Sequence, residues 1–151
     1  MFARPLIAAL MLATAPIAAS AQTAPAAAPS SAAGSTLTLK FEGVKQERGT
    51  ILIAVYADAA SWAGGAPARV AMLPVGQSHE VKVPGLASGH YGIKVFQDLD
   101  GDMKLTTNPF GIPIEPYGFS RDAMGAGKSP DWDAASFDFG AADAVQTITL
   151  R

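Results

Sequence analysis

Apolar and polar residues alternate along most of the folded part of this chain. In Thr36–Gly43 every second residue is apolar and the residues between are polar, which is typical of a half-buried strand. The same alternation recurs in Ser78–Val83, in His90–Asp98 and in the C-terminal Ala144–Arg151. Short, turn-bounded segments without a helical period predict an all-β fold, an antiparallel sandwich of about seven strands.

Two further segments predict the centre and the edge of a sheet. In Thr50–Asp58 apolar side chains occupy both faces, which favours a central strand that is covered on both sides. Arg69–Val75 has a less regular pattern and predicts an edge strand. Between them, Ser61–Gly65 predicts a loop or a short helical turn, and Phe137 and Phe139 are in phase in a late, short strand.

A short motif connects two of these strands. The segment Pro84–Gly89 predicts a turn, and Leu86, Gly89, Tyr91 and Ile93 stand in the spacing L-x-x-G-x-Y-x-I. This spacing resembles the turn-and-strand motif of transthyretin-like and carboxypeptidase-regulatory-like domains, which are immunoglobulin-like sandwiches. The resemblance implies that the leucine and the tyrosine plug one end of the sandwich while the glycine turns the chain.

The N-terminal region predicts export. A basic start, Met1–Arg4, precedes the apolar run Leu6–Ala19, and residues 19–21 (Ala-Ser-Ala) match the cleavage pattern of a secretory signal peptide. The run is shorter than the roughly 20 apolar residues that a membrane-spanning helix needs. We therefore expect a signal peptide over residues 1–21, a mature form that does not span a membrane, and a periplasmic or extracellular location.

Composition separates a linker from the folded domain. Residues 22–35 are dominated by Ala, Pro and Ser and predict a disordered linker, whereas residues 36–151 are long enough for one β-sandwich domain. The absence of cysteine excludes disulfides, thiolate metal sites and cysteine nucleophiles. With 11 basic and 13 acidic residues, a net charge of −2 and no basic run, the chain is not expected to bind nucleic acid.

The acidic segment DLDGDMKL carries the residues best suited to a metal. Asp98, Asp100 and Asp102 stand at alternate positions, so their carboxylates can converge on one point of a turning loop. Ca²⁺ takes six to eight oxygen ligands at about 2.3–2.6 Å, so three carboxylates form part of a shell. Asn108 and Glu115 are weaker candidates for the missing ligands.

The acidic segment has a second interpretation, a turn without an ion. Aspartate side chains bind their own backbone in tight turns, and Gly101 supplies a positive φ. An EF-hand is excluded, because its loop needs glycine at the sixth position and glutamate at the twelfth, where this chain has Met103 and Pro109.

The next segment, TTNPFGIPIEPYGFS (Thr106–Ser120), predicts a long loop stiffened by three prolines, each after a peptide bond that can be cis or trans. Its aromatic side chains either plug the open end of the sandwich or stay exposed as a recognition surface. Aromatic rings suit recognition because they give a large contact area for little lost entropy. The candidates for such a surface are Phe110, Tyr117, Phe119 and, farther along the chain, Trp132.

The two segments together carry a family resemblance. D-x-D-G-D-x-x-L at Asp98–Leu105, then Asn108, then G-I-P-x-E-P-Y-G-F-S at Gly111–Ser120 is similar to the signature of a bacterial exported family, domain of unknown function number 2141. The resemblance covers about residues 37–150. It implies a signal peptide followed by a β-sandwich, and it implies no activity. Arg121–Asp122 departs from the family, which tends to have asparagine there.

No catalytic motif accompanies these features. The chain lacks G-x-S-x-G, H-E-x-x-H and a phosphate-binding loop, and His79 and His90 lie at strand starts without a nucleophile pattern. We therefore predict a non-catalytic exported domain that binds an envelope protein, a peptide or a glycan. Two alternatives stay open: a polysaccharide hydrolase that uses the loop aspartates or Glu115, and a structural envelope protein that polymerises through strand edges.

Overall fold

The computed structural model describes residues 35–76, 78–126 and 128–151. The predicted signal peptide and all but the last residue of the predicted linker lie outside the described residues. Within them, no helix is long and apolar enough to cross a membrane.

The described residues form eight strands, two short helices and one 3-10 turn, which confirms the all-β prediction. The helices are α1 (Ala59–Gly64) and α2 (Trp132–Ala135), and the 3-10 turn is Ser120–Asp122. The strands are β1 (Ser35–Glu42), β2 (Thr50–Tyr56), β3 (Arg69–Pro74), β4 (Glu80–Leu86), β5 (Gly89–Asp98), β6 (Tyr117–Phe119), β7 (Phe137–Phe139) and β8 (Ala144–Thr149).

The strands form two sheets around one core. One sheet has three strands in the order β4–β1–β8, and the other has five, built on the ladder β3–β2–β5. Along the remaining edge of β5, β7 pairs with Gly89–Tyr91 and β6 pairs with Lys94–Phe96. Both sheets contribute to the core, whose buried residues are Leu37, Leu39, Phe41, Ile51, Ile53, Val55, Leu73, Val83, Leu86, Tyr91, Ile93, Val95, Phe139, Ile148 and Leu150.

The architecture differs from the predicted seven-stranded antiparallel sandwich in two respects. The eighth strand, β6, lies in the segment predicted as an irregular loop, because three residues are too few to show a period of two. In addition, β1 and β8 pair in parallel, from Leu37 beside Ala144 to Glu42 beside Thr149. A parallel pair needs a long connection, and here most of the domain provides it, which no local pattern can show.

The individual strand patterns agree with the structure more closely. Leu37, Leu39 and Phe41 of β1 are buried, and β2 lies between β3 and β5 as a central strand. The predicted edge strand is β3, and the predicted helical turn is α1. The local sequence pattern therefore predicted the buried face of β1, the central place of β2 and the edge place of β3.

The predicted turn Pro84–Gly89 is wrong in its first half, because β4 continues to Leu86. The pairing of β4 with β1 shifts register there, and Gly85 has a φ of 74°, as a β-bulge in an edge strand allows. After the bulge, the buried Tyr91 donates a hydrogen bond from its hydroxyl to the Ala87 carbonyl at 3.0 Å. Leu86 and Tyr91 are both part of the buried core, and their role as plugs at the end of a transthyretin-like sandwich stays a prediction.

A second, smaller cluster lies on the other face of the five-stranded sheet. Trp62 of α1 is buried there and donates from Nε1 to the Pro130 carbonyl at 2.9 Å. Phe119 and Ala135 complete its buried part, and Tyr56, Tyr117, Ala123 and Trp132 pack against it. A Cβ at Gly92 would lie 2.8 Å from the Trp132 ring, so this glycine lets the two tryptophans approach the sheet.

Candidate functional site

The structure brings the three aspartates of the acidic loop together. Carboxylate oxygens of Asp98, Asp100 and Asp102 lie within 4.8 Å of one another, with Asp98 buried and the other two exposed. They converge because β5 ends at Asp98 and the chain then turns through two residues of positive φ, Gly101 at 84° and Met103 at 62°.

The loop's own backbone already satisfies the buried aspartate. Asp98 accepts hydrogen bonds from the backbone N–H of Gly101 at 2.6 Å and of Met103 at 3.0 Å. Burial raises the pKa of Asp98, but hydrogen bonds from the backbone of Gly101, Met103 and Asp100 outweigh it and hold that pKa below its ordinary value. The turn therefore stabilises an ionised Asp98 without a metal, and the Ca²⁺ site stays a prediction.

Glu115 performs a different task from the one that the sequence suggested. Its buried carboxylate accepts hydrogen bonds from the backbone N–H of Leu99 at 2.8 Å and of Thr106 at 2.9 Å. These two residues flank the acidic turn, so Glu115 ties its two ends together. Glu115 does not belong to the aspartate cluster found among the described residues.

Asn108 starts a small hairpin. Its Oδ1 accepts hydrogen bonds from the backbone N–H of Phe110 at 2.9 Å and of Ile112 at 3.0 Å. A β-bridge between Thr107 and Pro113 closes the base of the hairpin. The described residues contain no cis peptide bond. The loop is thus ordered by its own hydrogen bonds and presents Phe110, 86% exposed, at its end.

The four aromatic candidates do not form one surface. Phe119 is buried with its ring centroid 6.0 Å from that of Trp62, on the outer side of the five-stranded sheet. Tyr117 and Trp132 are half-buried around the same cluster, whereas Phe110 stands apart at the hairpin. Neither interpretation of the aromatic run, plug or recognition surface, describes all four rings.

The five-stranded sheet carries apolar side chains on the face that points away from the core. Side chains alternate between the two faces of each strand. Ile53 of β2 and Val95 of β5 point into the core, so the neighbouring residues of each strand point to the outer face. Two rows cross the sheet in register: Met72, Leu52, Phe96 and Tyr117 in one, and Val70, Ala54, Lys94 and Phe119 in the other.

A cleft with two lobes lies over these rows, and we call it the outer groove. The first lobe, of about 290 Å³, lies over β2 and β5, and the second, of about 230 Å³, extends to Ile112 and Pro113 of the hairpin. Leu105, Tyr117 and Phe119 line both lobes. The lobes are therefore parts of one continuous apolar groove.

Of the described residues that line the first lobe, Lys94 alone is charged. Its Nζ donates a hydrogen bond of 2.7 Å to the Trp62 carbonyl and lies 4.4 Å from the centroid of the Trp62 ring and 5.0 Å from that of Tyr56. Burial lowers the pKa of Lys94 and raises the pKa of Tyr56. In the described part of the chain, no carboxylate forms an ion pair with Lys94.

The family model described as "uncharacterized protein conserved in bacteria (DUF2141)" matches residues 39–148 of the chain. The chain belongs to this family. The matched region runs from β1 into β8 and includes the acidic loop, the hairpin and the outer groove. No curated protein and no solved structure matches the chain.

The pattern of apolar and polar residues in this DUF2141 member does not predict the outer groove. The available signal was the second apolar face of β2, made by Leu52, Ala54 and Tyr56. Among the described residues no long amphipathic helix covers that face, and Ala54 and Tyr56 are half-buried. An apolar face without a covering element indicates a groove, so the prediction that β2 is covered on both sides holds only in part.

The last residue of the family signature, Ser120, is structural. It is fully buried, its Oγ accepts a hydrogen bond from the Ile93 backbone N–H at 2.9 Å, and it donates one to the Ala135 carbonyl at 2.6 Å. A hydroxyl held in this way joins β5 to α2 and is shielded from solvent.

The two histidines lie on the surface of the DUF2141 domain. His79 Nε2 lies 3.2 Å from a Glu47 oxygen, and His90 Nδ1 lies 3.0 Å from an Asp138 oxygen. All four side chains are substantially exposed, so these pairs resemble ordinary surface contacts more than a charge relay.

Proposed function

We propose that this protein is an exported, non-catalytic binding domain that holds its ligand in the outer groove. The observation that carries the proposal is an apolar sheet face, on the side away from the core, which the described residues cover only with loops and two short helices. Each Å² of apolar surface left in water costs about 25 cal/mol. Contiguous apolar surface of this kind on a small domain is typical of a binding site.

The hairpin extends the apolar surface beyond the groove. Ile112 lines the second lobe, and the neighbouring Phe110 and Ile114 are 86% and 63% exposed. The hydrogen bonds of Asn108 and Glu115 hold this segment in place. A surface that is ordered before the ligand arrives loses less entropy on binding.

The acidic loop supports a non-catalytic assignment over the hydrolase alternative. A glycosidase needs a carboxylic acid whose pKa is raised so that it can donate a proton. The pKa of Asp98 is instead lowered, and Asp100 and Asp102 are exposed. Glu115 has both carboxylate oxygens occupied by the backbone N–H groups of Leu99 and Thr106, so its carboxylate holds the loop together.

Export is part of the proposal because residues 1–21 have the pattern of a signal peptide. The transthyretin-like or immunoglobulin-like arrangement also stays an expectation, supported by two sheets around one core and by the packing of Leu86 and Tyr91. The expected partners were an envelope protein, a peptide or a glycan. The apolar lining of the groove favours a ligand with much apolar surface, and binding in the groove needs no Ca²⁺.

The test is the binding of Nile red, a neutral apolar dye whose fluorescence rises on leaving water. We expect the protein to bind the dye and Val70→Glu to abolish most of the binding, because Val70 lines the first lobe. Val145→Glu is the matched control, since Val145 is 57% exposed, close to the 63% of Val70, but lies on β8 in the other sheet. Equal dye binding by the two variants would refute the groove as the binding site.

A further inference from the structure

The ligand that fits the outer groove can be described from the groove's charges and backbone. The described residues that line it include two lysines, Lys94 in the first lobe and Lys128 in the second, and no acidic residue. This contrasts with the chain as a whole, which carries a net charge of −2. The charge of the groove is therefore complementary to an anion.

Lys94 is the lysine placed to bind that anion. Lys128 is 75% exposed and lies 3.9 Å from an Asp131 oxygen, so water and a carboxylate already surround it. Lys94 is half-buried and its one hydrogen bond to a described residue goes to the Trp62 carbonyl. An ammonium has three N–H donors, so two remain for the oxygens of a ligand.

Pairing Lys94 with an anionic ligand would offset the cost of its partial burial. Burial lowers the pKa of Lys94 because the ammonium has lost part of its hydration. The rings of Trp62 and Tyr56, 4.4 and 5.0 Å from Nζ, replace only part of that hydration. A carboxylate at this point forms charge-assisted hydrogen bonds in a region of low dielectric, where they are strong.

The backbone beneath the groove indicates that the rest of the ligand is hydrocarbon. β2 is hydrogen-bonded on both sides, by β3 and β5, and β5 by β2 and β6. On its other side, β6 exchanges backbone hydrogen bonds between Tyr117 and Arg151, at 3.2 and 3.0 Å. A peptide in the groove would bury amide groups without partners, at about 1–3 kcal/mol each, whereas an alkyl chain has no such groups.

The size and lining of the groove also favour a hydrocarbon chain. Lobes of about 290 and 230 Å³ are each somewhat smaller than the roughly 300–1,000 Å³ typical of small-molecule pockets, which favours a slender ligand. A glycan would bring many hydroxyls into a space whose side-chain polar groups are few, among them Thr107 and Ser129. One alkyl chain can instead follow the continuous apolar wall from Lys94 to Ile112.

We propose that the ligand is a single-chain amphiphile with a carboxylate head, a fatty acid in class. Its carboxylate binds Lys94 Nζ and its chain lies along the outer groove across Tyr117 and Phe119 toward Ile112. This inference rests on the proposed function, because it names the ligand of the same groove.

The test compares three amphiphiles built on twelve carbons in a single chain: dodecanoate, neutral dodecanol and dodecyltrimethylammonium. Binding is followed by tryptophan fluorescence, because the Trp62 ring lies 4.4 Å from Lys94 Nζ. We expect dodecanoate to bind at least about tenfold more tightly than dodecanol, as one charge-assisted contact implies, and the cation to bind most weakly. This comparison needs no variant and does not depend on how a mutant folds.

Variants locate the carboxylate. Lys94→Met should erase the preference for dodecanoate over dodecanol, Lys94→Arg should keep most of it, and Lys82→Met, on the exposed side of β4, should leave it unchanged. Equal binding of dodecanoate and dodecanol, with Nile red still bound, would overturn the fatty-acid inference and leave the groove in place. Failure of Nile red and all three amphiphiles to bind would overturn the proposed function as well.

Discussion

Lys94 Nζ lies 4.4 Å from the centroid of the Trp62 ring and donates a hydrogen bond of 2.7 Å to the carbonyl oxygen of the same residue. One residue of α1 thus provides both a π-face and an acceptor for an ammonium on β5. These two contacts hold Lys94 half-buried in an apolar groove. The same burial lowers its pKa.

The first prediction concerns stability above neutral pH. Burial lowers the pKa of Lys94 in the folded protein below its value of 10.5 in the unfolded chain. Between these two pKa values the unfolded chain binds more protons, so this group makes the free energy of unfolding rise with pH. The effect is small, because Lys94 keeps substantial contact with water. It is measured by urea unfolding at several pH values from 8 to about 10.5.

The matching variant separates this contribution from the titration of all other groups. The difference in free energy of unfolding between wild type and Lys94→Met should change in favour of wild type as the pH rises through that window. Lys82→Met, which removes an exposed lysine, should show no such trend. A constant difference between wild type and Lys94→Met would mean that the pKa of Lys94 is not lowered.

The second prediction concerns the junction of the two sheets at Gly118. A Cβ at this position would lie 2.7 Å from the Thr149 carbonyl oxygen and 2.9 Å from Ile148 Cγ2. Both distances are shorter than real Cβ contacts, so Gly118→Ala must displace β6 from β8. We expect it to lower the free energy of unfolding by about 1–3 kcal/mol, the usual cost of overpacking. Gly140→Ala is the control: its Cβ would meet no atom within 4 Å, and it should be neutral.

The third prediction concerns Glu115, which binds the two ends of the acidic turn. Glu115→Ala leaves the partly buried backbone N–H groups of Leu99 and Thr106 without their acceptor. We expect a loss of about 1.5–3 kcal/mol in the free energy of unfolding, the worth of hydrogen bonds to a charged group. Asp102→Ala, in the same loop but exposed, should cost under about 1 kcal/mol because water can replace its contact. Similar costs for the two would exclude the structural role of Glu115.

The sequence predicted those strands whose own residues alternate between apolar and polar. β1 alternates cleanly because one side of it meets the core, and the burial of Leu37, Leu39 and Phe41 follows from that alone. β6 and the parallel pairing of β1 with β8 were not predictable in this way. They depend on contacts between residues far apart in the chain, such as Tyr117 with Arg151.

The candidate site was harder to predict, because the residues that line the groove lie on six separate segments: β2, β3, β5, the loop before β6, β6 itself and residues 128–129. By pattern, Lys94 occupies the polar phase of β5 and would face solvent. It is half-buried only because Trp62 folds over it from α1. In the same way, the buried Glu115 has the residue type of a metal ligand, and only the fold shows that backbone groups occupy its oxygens. Residue type alone could not distinguish a metal ligand from a side chain that stabilises the loop by hydrogen bonds.

The last prediction concerns calcium at the acidic loop. Both oxygens of Asp98 accept backbone hydrogen bonds, and Oδ1 of Asp102 accepts one from Lys104 at 2.7 Å. Asp100 and Asp102 are exposed, so water and salt screen the repulsion among the three carboxylates. We therefore expect the same melting temperature in millimolar CaCl₂ and in excess EDTA. A rise of several degrees in calcium that disappears in Asp100→Asn would establish instead that the loop binds the ion. Binding to the folded state alone must raise its stability, so the melting temperature discriminates between the two interpretations directly.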